Sequence, residues 1–204
     1  MLGTPEDKVK VETAFAAVET ITHAPIFCVV SSASDAYLGL GTALTAIIAL
    51  LAPWPLLFFT LMPAEEIFLF QAALAFVLAI TLLLAPTRMR ARLTPPRLCR
   101  EAVHRAALAQ FVVRGVSHTP DRCGVLLYVS RAEQHVRLVA DVGSAAKIPQ
   151  GEWQRIVDDV TDGFRRGHEA DALVAAANAC AKILGPHFPP DGVAIHPRTH
   201  FHST

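Results

Sequence analysis

The sequence predicts an α+β protein in which a small sheet covered by helices is split by a two-helix transmembrane hairpin. Three observations lead to this fold class. Residues 36–64 and 67–87 contain no Asp, Glu, Lys, Arg or His, although 18% of the chain is charged. Short apolar runs typical of buried strands lie on both sides of these windows. The part before the windows offers one helix and one strand, which cannot bury a core alone.

Composition excludes several classes of protein. The chain has 204 residues, is 52% hydrophobic and carries a formal net charge of zero. With the two uncharged windows, these values argue against a wholly soluble protein, a disordered chain, a disulfide scaffold and a nucleic-acid partner. The cysteines lack CxxC spacing and lie in apolar stretches, so we expect reduced and mostly buried thiols. They are Cys28, Cys99, Cys123 and Cys180.

Two segments are predicted to span a membrane. Ile67–Pro86 supplies the roughly 20 apolar residues that a spanning helix needs. Leu38–Leu61 is the second span, and Pro53 and Pro55 predict a kink or break within it. Trp54, between those prolines, is predicted to lie at the membrane interface. A buried helical hairpin in a soluble protein is the alternative interpretation.

Five arginines follow the second predicted span, whereas the turn between the spans carries Glu65 and Glu66 and no basic residue. The arginines are Arg88, Arg90, Arg92, Arg97 and Arg100. Because positive residues stay on the cytoplasmic side, we expect both termini in the cytoplasm. The same cluster could bind anionic lipid headgroups. The simpler interpretation is that these arginines only determine the topology.

The remaining residues divide into predicted elements of one domain. Residues 1–36 give a helix and a strand, residues 37–87 the hairpin, residues 97–188 the rest of the domain, and residues 189–204 a flexible tail. The larger part contains a helix over 97–113, strands over 124–130 and 135–140, and two amphipathic helices. Pairing the first strand with the second would join both parts in one sheet.

The larger part resembles the TPM domain family. The resemblance lies in the order GVLLYVS, HVRLVAD-x-G, a loop ending at Pro149, EWQRIVDDVTDGFRRG and an alanine-rich helix. It covers about residues 97–188 and, more weakly, residues 6–36. The two-span insertion resembles a small bacterial membrane branch of the family, which implies the inner membrane. The resemblance implies an α/β/α sandwich, with acid phosphatase activity or divalent-metal binding in some members.

The position of the family's acidic-Asn-Gly run reads Asp121-Arg122-Cys123-Gly124 here, which puts phosphatase activity in doubt. Asp141 ends the second strand of the predicted antiparallel pair, so we expect it near Asp121 and Arg122. Two carboxylates and an arginine could bind phosphate or a divalent cation, calcium or magnesium. An ordinary charged strand end is the alternative.

Other polar clusters have simpler interpretations. Asp35 and Glu133, with nearby serines, follow the carboxyl ends of two strands, where ligands bind in parallel sheets, but turn caps use the same residues. The acids of residues 158–162 alternate with arginines and predict a solvated helix face. The tail histidines lack a rigid element beneath them and are expected to bind no metal. They are His187, His196, His200 and His202.

The sequence therefore favours a non-catalytic, membrane-anchored module that binds another membrane protein or assists its assembly. The alternative is a metal-assisted phosphatase that acts on phosphomonoesters through Asp141 and Asp121, with Arg122 orienting the phosphate. A third hypothesis is an anchor that senses anionic lipids through the arginine cluster.

Overall fold

The computed structural model describes residues 5–18, 20–34, 38–52, 54–55, 63–119, 121–190 and 201–203. The chain forms two compact units. Residues 1–34 and 100–204 form one, here called the sandwich unit, and residues 35–99 form the other, here called the apolar unit. The first strand of the sandwich unit therefore precedes the apolar unit in the chain, and most of the sandwich unit follows it.

The sandwich unit is built on a sheet with strand order β3-β2-β1-β4. The strands are β1 (Ile26–Ser31), β2 (Val125–Ser130), β3 (His135–Ala140) and β4 (Phe201–Ser203). β1 and β2 pair in parallel, from Ile26 opposite Val125 to Ser31 opposite Ser130. β2 and β3 form the predicted antiparallel pair. The pairing of the first strand with the second, expected from the sequence, is thus confirmed.

One face of the sheet is covered by three helices. These are α1 (Pro5–Val18), α7 (Gln150–Arg165) and α8 (Glu169–Leu184). The apolar side chains of their inner faces form one buried cluster with alternate residues of β1, β2 and β3. Phe15, Val160 and Leu173 are at most 1% exposed within it. Burial of such side chains from water is the main force that holds this layer to the sheet.

Among the described residues, the helix α5 (Pro96–Val113) supplies the core of the opposite face. Its residues Val103, Ala107 and Phe111 pack with the alternate side chains of β1 and β2, among them Phe27 and Leu126. Because successive strand residues point to opposite faces, both faces of these strands are apolar and both are buried. Helices therefore lie on both sides of the sheet, as in an α/β/α sandwich.

In the described part of the apolar unit lie the helices α2 (Leu38–Leu51), α3 (Ala64–Leu84) and α4 (Thr87–Leu93). α2 packs against α3, and Ala46, Ala49, Phe68 and Ala72 line the space between them. Residues 65–84 of α3 are long and apolar enough to cross a membrane. The described helix α2 has 14 residues and is too short by that criterion. Residues 53 and 56–62 of the first predicted span lie outside the described residues.

Two elements differ from the sequence prediction. The segment between β3 and Pro149 was predicted as a loop, but it contains a short helix, α6 (Val142–Lys147), capped by Asp141. The predicted flexible tail ends in β4, which pairs in parallel with β1 from Cys28 to Val30. β4 covers an edge of β1 that would otherwise expose unpaired backbone groups. Residues 191–200, with His196 and His200, lie outside the described residues.

Candidate functional site

The predicted carboxylate and arginine meet where β2 begins and β3 ends. The Asp141 side chain is only 4% exposed, and its Oδ1 lies 3.6 Å from Nε of Arg122. The same oxygen accepts a hydrogen bond of 2.7 Å from the backbone nitrogen of Val142, which caps α6. Asp141 Oδ2 is buried and has no hydrogen-bond partner among the described residues. A buried carboxylate oxygen without a partner is costly, so it marks a site of interest.

Asp121 turns toward a different partner. Its Oδ2 lies 2.9 Å from Nε2 of His23, and Nδ1 of His23 lies 2.6 Å from the carbonyl oxygen of Pro189. Both ring nitrogens of His23 therefore face acceptor oxygens. The ring of His23 also packs edge-on against Phe188, with 5.7 Å between ring centroids. The sequence did not predict this pair, because His23 and Asp121 are far apart in the chain.

Tight backbone packing holds the Asp121-Arg122 turn beside Asp141. Arg122 has a positive φ of 49°, and the Gly143 nitrogen donates to its carbonyl oxygen at 2.9 Å. A Cβ atom at Gly143 would lie 2.1 Å from the carbonyl oxygen of Asp121. The hydroxyl of Ser144, which is fully buried, donates to the carbonyl oxygen of Cys123. The position of Arg122 relative to Asp141 thus depends on a glycine at position 143.

The carboxyl ends of β1 and β2 form a separate polar network. Glu133 accepts hydrogen bonds from the hydroxyl of Ser130 and, at 2.9 Å, from the backbone nitrogen of Ser34. The hydroxyls of Ser34 and Tyr128 lie 3.3 Å apart. Glu133 therefore joins the segment after β1 to the turn after β2, as a structural cap would. Asp35, which was predicted to lie beside it, is outside the described residues.

The predicted basic cluster is distributed over two helices. Arg88, Arg90 and Arg92 lie on α4, and Arg97 and Arg100 lie in the first turns of α5. All are exposed except Arg90, whose Nε donates to the carbonyl oxygen of Ala85 at 3.1 Å. Trp54, the predicted interfacial residue, is 56% exposed.

Sequence reasoning missed a groove between β3 and α7. It has a volume of about 550 Å³ and is lined by residues 135–138 of β3 and by one face of α7, including Trp153 and Val157. Burial, followed by the charges of Arg100 and Arg137, lowers the pKa of His135 below its ordinary value. The weak alternation of β3, which has an exposed Arg137 between apolar residues, could have marked it as a strand at a sheet edge.

The buried thiols are poor nucleophiles in this structure. Burial raises the pKa of Cys180 to about 12, and it raises those of Cys28 and Cys123 as well. Cys28, Cys123 and Cys180 are buried, Cys99 is half-buried, and all four are free thiols, which fits the expectation of reduced and mostly buried cysteines.

The side chains around Asp141 do not form a divalent-cation site. Within the part of the chain that the structure describes, no three His, Cys, Asp or Glu side chains come together as metal ligands. One oxygen of Asp121 contacts His23, and the guanidinium of Arg122 places a positive charge beside Asp141. Calcium takes more oxygen ligands than this arrangement offers, and the charge of Arg122 would repel any divalent cation beside Asp141.

The fold and this strand-end site define an α/β/α sandwich domain with a buried aspartate beside an arginine. The family model named TPM phosphatase, described as the TPM domain, matches residues 94–183. The predicted resemblance to the TPM domain family is confirmed over that region.

The chain is also similar to the BA42 protein of the psychrophilic bacterium Bizionia argentinensis, solved by NMR. That similarity covers 98% of this chain and 94% of the other, at 13% identity and a TM-score of 0.60, and shows the fold. None of the curated proteins compared with the chain matches it.

Two glycine substitutions test the packing at the site. Gly143→Ala should lower the free energy of unfolding by about 1–3 kcal/mol, because the new methyl group overlaps the Asp121 carbonyl. Gly151→Ala has nothing within 4 Å of its new methyl group and lies in a helix. It should be neutral or stabilise by up to about 1 kcal/mol. Urea unfolding of the two variants measures the difference, and equal stabilities would contradict the packing described.

Proposed function

We propose that this protein is a membrane-anchored module whose sandwich unit binds another membrane protein or assists its assembly. The observation that carries the proposal is α3, an apolar helix of 21 residues whose side chains are mostly exposed. In the proposal α2 and α3 form the membrane hairpin that divides the TPM-type domain. Both termini then face the cytoplasm, and the membrane is the bacterial inner membrane.

The exposure of α3 supports an anchor. Phe68, Leu69, Leu83 and Leu84 are between 66% and 79% exposed, and only Ile67 of the helix's large apolar residues is as much as 96% buried. A soluble protein rarely leaves so large a continuous apolar surface in water, whereas a lipid bilayer would cover it. The exposed arginines of α4 follow the helix directly, where they would meet the cytoplasmic headgroups.

A binding role is supported by the residues of the strand-end site, which lies where β2 begins and β3 ends. Asp121 is paired with His23, and Arg122 stands beside Asp141, in place of the acidic-Asn-Gly run that many family members carry. The sandwich unit nevertheless keeps a complete core on both faces of its sheet. A well-packed domain on an anchor is suited to holding a partner close to the membrane.

The first experiment tests the anchor. Replacing Phe76 and Val77, near the middle of α3, with arginine should release the full chain from membranes during carbonate extraction. Each arginine costs about 2.5–3.5 kcal/mol at the centre of a spanning helix. Val112 and Val113 on α5 have similar exposure, so their replacement with arginine is a matched control that should leave the chain in the membrane. Equal extraction of both variants would contradict the anchor.

The second experiment tests the binding role. A photo-crosslinking amino acid is introduced singly at three exposed positions of the sandwich unit, Glu12, Val112 and Arg137, and the full chain is irradiated in its native membranes. We expect at least one position to give a discrete adduct with another membrane protein. Adducts with lipid and with the chain itself only, from every position, would contradict the proposal.

Phosphomonoester hydrolysis is a second candidate function, favoured by the buried, unpartnered Oδ2 of Asp141 beside the Arg122 guanidinium. In this candidate Arg122 orients the phosphate group, and Asp141 and Asp121 supply the carboxylates. The name of the matching family model includes the word phosphatase, which indicates the same activity.

A hydrolysis assay separates the two candidates. We expect no turnover of phosphomonoesters by the full chain in detergent with calcium, with magnesium or with EDTA. Turnover that falls at least 100-fold in Asp141→Asn, and is retained in Asp159→Asn on the exposed face of α7, would establish the phosphatase and assign its site. Turnover unchanged by Asp141→Asn would indicate a contaminating enzyme.

A further inference from the structure

The outer side of β3 carries backbone groups that no strand pairs with in the described part of the chain. The Asp141 nitrogen donates to the carbonyl oxygen of Gly124 at 2.9 Å, and the strand register places these two residues opposite each other. In an antiparallel pair, hydrogen-bonded and non-hydrogen-bonded positions alternate. Val136, Leu138 and Ala140 therefore turn their N–H and C=O groups away from β2. These outward-facing backbone groups recur at every second residue, as they do in an edge strand that can pair with a further strand.

The groove beside this edge has room for the side chains of such a neighbour. Its volume of about 550 Å³ lies between β3 and α7, and Trp153 and Val157 line the α7 side. Trp153 is 3% exposed, and its indole nitrogen has no hydrogen-bond partner among the described residues. The α7 wall also carries Asp158, Asp162 and Arg165. Because Asp162 already pairs with Arg165 and Arg166, this wall offers acidic side chains no excess positive charge.

The face of β3 opposite the groove is basic. His135 and Arg137 alternate with the core residues of β3, so they face the side of the sheet that α5 covers. Arg137 is exposed, and so is Arg100 on α5, and neither has an ion-pair partner within the residues described. Burial first, and then the charges of Arg100 and Arg137, lower the pKa of His135, while the charge of Glu133 acts in the opposite direction.

These charges decide which occupant fits the edge. A second copy of the chain that paired through β3 would bring two basic edges together, and like charges across a strand pair are destabilising. An acidic strand has the complementary charge. Its acidic side chains would face His135 and Arg137, and its alternate, uncharged side chains would lie in the groove over Trp153 and Val157.

We propose that the outer edge of β3 binds an extended acidic segment of a partner protein, which adds to the sheet as a further antiparallel or parallel strand. This inference rests on the proposed binding function and names the surface and the chemistry of the partner. The backbone pairs supply affinity, and alternation of acidic with uncharged residues supplies specificity.

The test uses the full chain in detergent micelles and a labelled ten-residue peptide in which glutamate alternates with threonine. We expect this peptide to bind and its lysine-for-glutamate counterpart to bind at least tenfold more weakly. Arg137→Glu should weaken binding of the glutamate peptide about tenfold, because attraction becomes repulsion at an exposed position. Arg155→Glu, on α7 outside the groove, changes the net charge equally and should alter binding less than twofold.

Hydrogen exchange provides a second, independent measurement. On binding, the amides of Val136, Leu138 and Ala140 should gain protection, whereas those of Arg137 and Val139 already pair with β2 and should change little. Equal binding by Arg137→Glu and the unaltered chain would overturn the proposal, as would unchanged exchange at the three outward amides. If crosslinking captures a membrane protein while these peptides fail to bind, the binding function holds and its surface lies elsewhere.

Discussion

The parallel pairing of β1 with β2 is the contact on which the rest of the structure depends. Six residues of β1 lie in register with six of β2, although the whole apolar unit separates them in the chain. Without this pairing, α1 and β1 would have no sheet to complete, and neither face of the sandwich would close. The pairing is buried on both faces, so the backbone hydrogen bonds and the apolar cores stabilise each other.

Much of the sandwich could be predicted because its elements have strong local patterns. The run GVLLYVS is apolar throughout, as a strand buried on both faces must be, and it forms β2 with every residue buried. α7 concentrates Trp153, Ile156 and Val160 on one face, which identifies both the helix and its packing direction. The pairing of the first strand with the second could be predicted because one helix and one strand before the apolar windows cannot bury a core alone. The approach of Arg122 to Asp141 followed in turn from the antiparallel pair.

The features that could not be predicted depend on contacts between distant residues or on single atoms. α6 is only six residues long, and its cap is a hydrogen bond from Val142 to Asp141 that has no distinctive local pattern. The pair of His23 with Asp121 joins two loops that lie on either side of the apolar unit in sequence. The groove along β3 exists only because α7 leaves one side of an edge strand uncovered. The extent of the first apolar helix could not be derived either, since prolines interrupt the run from Leu38 to Leu61.

The interrupted order of the chain also constrains when the sheet can form during synthesis. Ser31 leaves the ribosome roughly 90 residues before Val125, the first residue of its partner strand. At about 5–20 residues per second, β1 therefore waits for roughly 5–20 seconds with its apolar faces and backbone groups unpaired. The apolar helices α2 and α3 emerge within this interval. Nascent β1 must consequently be kept from aggregating until translation delivers β2, and translation speed through the apolar unit becomes a determinant of the folding yield.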